Sequence, residues 1–316
     1  MKENQPITLN AAMTSIKNYL SLVKFSHTIF ALPFALIGFF LSVTKFNFYN
    51  NPSNPNRSFT WGQPVSELIL KFVLVLLCMV TARSAAMAFN RWLDKNFDAK
   101  NSRTAIREIP AGIISSGSAL RFVIINCVAF VTCTWFINKL CFFLSPVALF
   151  VILFYSYTKR FTPLCHLVLG LGLSLAPIGA FLAVTGRFEL LPVLFSFTVL
   201  FWVSGFDIIY ALQDVEFDQS QNLFSIPAIL GKVKALRVSQ ILHAISAVIV
   251  ITAGIIGKFG WFYWTGVAVF VGMLLYQHSI VKPNDLKRVN LAFMTANGIA
   301  SVVFAVFVLA DLFFKR

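Results

Sequence analysis

Charge is scarce in this chain. Of its 316 residues only 12% are Asp, Glu, Lys or Arg, and just 12 are acidic, which excludes an ordinary soluble domain, where about a quarter of the residues are charged. No Gly-, Ser- or Pro-rich linker interrupts the chain after residue 25, so the two domains that such a length suggests for a soluble protein are not expected. The five cysteines lie in or at the ends of apolar runs without a CxxC spacing. That excludes a disulfide framework and a zinc site and leaves them as packing residues. The opening stretch MKENQPITLNAAMTSIKNYLSLVKF has no small-residue cleavage site behind a compact apolar core. Residues 1–24 therefore read as an amphipathic lead-in on a membrane surface, not as a removed signal peptide.

What the chain has in abundance is apolar surface: 58% of it is hydrophobic and 15% aromatic, with a mean hydropathy of +0.79. A transmembrane helix needs about 20 mainly apolar residues. Runs of that kind cover Phe25–Val43, Val65–Phe89, Ala119–Ile137, Leu140–Tyr157, Pro163–Thr185, Leu190–Ala211, Val238–Ile256, Phe259–Tyr276 and Leu291–Phe314. The expected fold is all-α: one polytopic membrane domain over residues 25–316, a bundle of about nine transmembrane helices.

The net charge of +14 does not point to nucleic acid, because the basic residues are spread among the loops and form no single stripe. They follow membrane topology instead. With a cytoplasmic N-terminus, most Lys and Arg fall on the cytoplasmic side, against Lys45, Arg57, Lys139, Arg187, Lys258, Lys315 and Arg316 on the other. An odd number of spans then sends the C-terminus across.

The few acids are clustered. After the second run, Asn90, Asp94 and Asp98 follow at four-residue spacing and share one helical face over roughly 12 Å of rise. At the end of the sixth, Asp207, Tyr210 and Asp214, three and four residues apart, also share a face, and Asp218 continues it. DKNFD at 94–98 matches DVEFD at 214–218, and IPA recurs at 109–111 and 226–228, which suggests two related halves around a central cavity. Any single Asp here could be a loop acid balancing nearby bases. Two matched ladders in so acid-poor a chain point elsewhere: carboxylates set so close repel one another unless cations neutralise them, and Mg²⁺ takes one or two carboxylates plus substrate phosphate oxygens. The ladders thus predict Mg²⁺ bridging to a diphosphate. Cations for it follow on the same side, Arg103 and Arg107 beyond the first ladder and Lys159 with Arg160 after the fourth run. Arg83 and Asp207 lie within apolar runs, where charge is costly. Either they pair with each other or both line a polar cavity.

These residues resemble the UbiA family of intramembrane prenyltransferases. The family's first motif is similar to Asn90, Asp94, Asp98, Arg103-Thr104 and Arg107-Glu108-Ile109-Pro110-Ala111-Gly112; its second to Asp207, Tyr210-Ala211, Asp214, Asp218 and Ser225-Ile226-Pro227. Arg83, seven residues before Asn90, and Lys159 to Thr162 match as well, and the likeness covers nearly the whole chain. It implies a transferase joining a polyprenyl diphosphate to an aromatic acid in quinone biosynthesis, 4-hydroxybenzoate or a dihydroxynaphthoate, at the cytoplasmic side of a bacterial inner membrane. In that reading Asp94, Asp98, Asp214 and Asp218 hold Mg²⁺, and Asn90, Arg103, Arg107 and Lys159 serve the diphosphate. Arg83 takes the acceptor's carboxylate, while Asp207 and Tyr210 orient the acceptor or stabilise positive charge. The isoprenoid tail is expected to leave sideways between Phe-rich helices. A secondary carrier is the rival from another class, but its ionisable residues belong near the midplane on broken helices, whereas here most cluster at one face.

Overall fold

The computed structural model describes residues 17–23, 30–46 and 63–314. Of the expected lead-in only 17–23 is therefore described, and residues 17–22 are helical. Backbone groups in hydrocarbon find no water, so an apolar run must close its hydrogen bonds within itself. Among the described residues the secondary structure is accordingly helical, apart from an isolated bridge between Lys282 and Asp285.

The main helices are α1 (Leu32–Leu41, continued as a π-helix over Ser42–Phe46), α2 (Val65–Leu93), α3 (Ser116–Ile137), α4 (Lys139–Thr158), α5 (Cys165–Thr185), α6 (Leu190–Ala211), α7 (Ile226–Ile256), α8 (Trp261–Ile280) and α9 (Asn297–Phe314, entered through a π-helix at Leu291–Ala296). Each of the expected runs overlaps one of them, yet among the described residues 7 helices are long and apolar enough to span a membrane. α1 is short where it is described, and Trp261, Tyr263, Gln277 and His278 dilute the apolar character of α8. Among the described residues, length and composition alone thus mark seven spans and one shorter apolar helix, Leu32–Lys45. α7 differs in another way: helical residues begin at Ile226, not near Val238, with a kink at Gly231, where φ is +75°. Lys232, Lys234 and Arg237 hide these first turns from an apolar count, but Ser225 caps them, its hydroxyl accepting from the Ala228 amide at 3.3 Å, and Pro227 suits the first turn.

Packing makes α6 central and α4 peripheral: 56% of the apolar window around α6 is buried, against 17% for α4. Phe34, Phe195, Trp202, Phe270 and Phe304 form an aromatic core between α1, α6, α8 and α9. Close helix contacts depend on glycine. A Cβ on Gly38 of α1 would overlap the Pro177 carbonyl of α5, and one on Gly170 of α5 would overlap the Leu200 carbonyl and Ser204 hydroxyl of α6. The two acidic segments are built alike. α2 and α6 each run into a short helix, Lys95–Lys100 and Val215–Ser220, and each is followed by a helix with a serine N-cap, Ser115 before α3 and Ser225 before α7.

Candidate active site

The C-terminal ends of α2, α4 and α6 and the N-terminal end of α5 meet around a cavity of about 570 Å³. Arg83, Asn90, Asp94, Asp98, Arg103, Arg107, Lys159, Asp207, Tyr210, Asp214 and Asp218 all line it. Residues more than a hundred positions apart are thereby brought to one space. The walls between them are apolar, with Phe30, Leu169, Leu173, Phe206 and Phe293.

Each ladder carboxylate is matched by a different cation. Arg160 Nη2 reaches Asp94 Oδ1 at 2.7 Å, Arg107 Nη1 reaches Asp98 Oδ1 at 2.6 Å, and Lys159 Nζ reaches Asp218 Oδ1 at 2.7 Å. Arg103 crosses from the first segment to the second, donating from Nη2 to both oxygens of Asp214 at 2.8 and 2.6 Å and from Nη1 to the Tyr210 hydroxyl at 3.0 Å. Asn90 donates to Asp94 at 3.1 Å, and Ser225 to Asp218 at 2.9 Å. The pairing explains how acids as enclosed as Asp98, at 5% exposure, and Asp218, at 0%, can be accommodated. Burial holds the Asp94 carboxyl above the usual carboxylate range against the opposing pull of Arg160. For Arg103 burial acts to lower the guanidinium, but Asp214 and Tyr210 outweigh it and the net displacement is upward.

Arg83 and Asp207 both line the cavity, and the partner of Asp207 is His166, whose Nδ1 lies 2.6 Å from Oδ2. Sequence reasoning passed over His166, although an ionisable residue inside an apolar run was already the signal applied to Asp207. It also passed over Tyr155, Arg91, Asn101 and Glu108, which line the same space. Arg91 is 5% exposed.

Among the described residues no three His, Cys, Asp or Glu side chains converge as a ready cation cage. The donor set still fits Mg²⁺. Hard carboxylates are present on both sides, Asp98 keeps Oδ2 without a hydrogen-bond partner, and this ion needs only one or two carboxylates when phosphate oxygens complete its shell.

A second cavity of about 360 Å³ shares Arg83, Met87, Tyr155, Leu169 and Leu173 with the first. Met79, Ala82, Ala86, Leu144, Ala148, Ala176 and Gly179 line it. Its phenylalanines are Phe130 and Phe188, so this wall is mostly aliphatic; small side chains leave the room that phenyl rings would fill. A charged chamber joined to an apolar one, at one end of a membrane bundle, defines the class: a membrane enzyme for a substrate with an anionic head and an apolar tail.

Comparison with known proteins agrees. Residues 31–299 match the profile of the UbiA prenyltransferase family. The chain is similar to a 4-hydroxybenzoate octaprenyltransferase of Nitrosospira multiformis, 30% identical over 249 residues, 78% of this chain and 84% of the relative. One from Francisella tularensis is 28% identical over 238 residues, 75% and 83% of the two chains. Among solved structures, an apo UbiA homologue from Aeropyrum pernix K1 superposes with a TM-score of 0.72 at 28% identity, covering 92% of this chain and 98% of that one. A UbiA homologue from Archaeoglobus fulgidus bound to DMAPP and Mg²⁺ shares the fold, with a TM-score of 0.71 at 19% identity over 93% and 99%. The chain belongs to the UbiA prenyltransferase family. It is an integral, multi-pass membrane prenyltransferase.

Proposed function

We propose that this enzyme transfers a polyprenyl group from an allylic diphosphate to an aromatic acid of the 4-hydroxybenzoate type, with Mg²⁺, in a single domain whose active site faces the cytoplasm of a bacterial inner membrane. The observation that carries the reading is that both acidic segments face one cavity, which shares Arg83, Met87, Tyr155, Leu169 and Leu173 with an apolar one. The relatives named 4-hydroxybenzoate octaprenyltransferase support the acceptor class.

Asp94, Asp98, Asp214 and Asp218 would hold Mg²⁺, which when bound stabilises the charge of the departing diphosphate. Arg103, Arg107 and Lys159, freed from their carboxylates, donate to phosphate oxygens as negative charge gathers there. Asn90 keeps the Asp94 carboxylate aimed. As the allylic C–O bond breaks, its electron pair leaves with the diphosphate. The apolar walls exclude the water that would capture the cation as an alcohol. Arg83 takes the acceptor's carboxylate, and Asp207 with Tyr210 orients its ring. The ring carbon beside the hydroxyl then forms the new C–C bond, and loss of its proton restores aromaticity. The tail lies in the aliphatic cavity between α2, α3, α4 and α5.

The test is a product analysis. Membranes containing the enzyme are given geranyl or farnesyl diphosphate, Mg²⁺, 4-hydroxybenzoate and two dihydroxynaphthoates side by side, and the lipid extract is read by mass spectrometry. Prenylated hydroxybenzoate is expected; prenylated naphthoate alone would move the acceptor assignment, and no product from any pairing would refute the reading.

A further inference from the structure

His166 lies in the first turn of α5, inside the bundle, at 2% exposure. A histidine so placed is costly unless both ring nitrogens find partners. Here both do. The amide of Ile226, at the start of α7, donates to Nε2 at 3.4 Å, so that nitrogen presents its lone pair and the ring proton sits on Nδ1. Nδ1–H therefore donates to Asp207 Oδ2 at 2.6 Å. The imidazole is thereby held at both ends, by the Ile226 amide and by the Asp207 carboxylate. Its backbone is fixed as well: the Ser204 hydroxyl of α6 donates to the His166 carbonyl at 3.1 Å, at the close α5–α6 contact that Gly170 allows.

The far end of this bridge reaches the other half of the site. Ile226 follows Ser225, whose hydroxyl donates to the buried Asp218 at 2.9 Å, and the Phe224 amide donates to the Lys159 carbonyl at 2.7 Å. His166 thus links the start of α7, next to the serine that holds Asp218, to the helix carrying Asp207. Asp207 itself is 22% exposed and lines the cavity, with Oδ2 engaged by the ring.

We propose that His166 is a positioning residue for the acceptor half of the site: it pins one oxygen of Asp207 and leaves the other to receive the acceptor's phenolic hydroxyl. The inference rests on the acceptor role given above to Asp207. The neighbours of the imidazole, the Ile226 amide and the Asp207 carboxylate, fix this geometry. A hydroxyl hydrogen-bonded to a carboxylate is the more electron-rich, which favours attack by the adjacent ring carbon.

Three substitutions separate this role from plain packing. His166→Leu fills the space without a donor. His166→Asn places an amide nitrogen at the bond distance of Nδ1, and His166→Gln places it one bond further out. His166→Leu is expected to lower kcat/KM for the aromatic acid by about tenfold to a hundredfold, the range for loss of a hydrogen bond to a charged group. The KM for the allylic diphosphate is expected to stay within about twofold. His166→Asn should recover most of the loss and His166→Gln little, although glutamine is nearer to histidine in volume. With Asp207→Asn already present, His166→Leu should add no further loss. Multiplying losses in that double variant, a better rescue by Gln than by Asn, or an equal rise in KM for the diphosphate would each overturn the proposal. Should His166→Leu not fold, the contrast between Asn and Gln carries the test. The wild-type product analysis addresses the reading of the site, whereas the ratios among variants address His166, so the two fail separately.

Discussion

Replacing Lys159 by methionine removes the ammonium 2.7 Å from Asp218 Oδ1. The carboxylate it leaves is 0% exposed and retains the Ser225 hydroxyl as a hydrogen-bond partner. Breaking a buried pair by deleting one member costs about 3–5 kcal/mol, because the other charge is stranded, and an aspartate within a membrane span costs roughly 2.5–3.5 kcal/mol on insertion scales. The two ranges overlap near about 3 kcal/mol, a shift of some two decades in the folding equilibrium. Lys159→Met combined with Asp218→Asn removes both charges and keeps an acceptor for Ser225. That double variant should return to within about 1 kcal/mol of the wild type, as neutral replacements of buried pairs do. Activity should be lost in both, because each residue serves the head of the substrate. Unfolding of the purified enzyme in detergent, read beside the product assay, decides the matter. A Lys159→Met protein as stable as the wild type, or an active double variant, would refute the reasoning.

The other predictions concern the metal, the acceptor and the tail. Chelation should abolish transfer and Mg²⁺ restore it, with Ca²⁺ a poorer substitute because it prefers a larger, looser shell; full activity in chelator would remove the metal assignment. Asp94→Ala and Asp214→Ala should abolish prenylation even with Mg²⁺ supplied, whereas Arg83→Ala should raise KM for the aromatic acid more than for the diphosphate, measured with each substrate varied in turn. Gly179 lines the aliphatic cavity, and a Cβ there meets nothing within 4 Å. Gly179→Phe should therefore leave geranyl transfer largely intact and cut off transfer from long-chain diphosphates, as a series of chain lengths would reveal. Gly170→Ala should weaken acceptor use, since its methyl would press α5 away from α6 and draw His166 from Asp207.

Much of this was readable in the linear chain because membranes impose simple rules. Apolar runs of sufficient length must be helices, since hydrocarbon leaves no other way to satisfy their backbone, and every expected run overlaps one. Local spacing put Asp94 with Asp98 and Asp214 with Asp218, because residues four apart on a helix share a face whatever surrounds them. The same local view failed where the signal was mixed. The basic first turns of α7 escaped an apolar count.

Partnership was beyond the chain's reach. The sequence by itself determined which side chains have the chemistry for a diphosphate head, and that they lie at the ends of membrane helices. Only the tertiary structure decided that Arg103 crosses to Asp214, that Lys159 meets Asp218, and that Asp207 is held by His166 and not by Arg83. The reason is distance along the chain: contacts between helices depend on which faces pack and how closely glycines let them approach, and no periodicity within one segment encodes that.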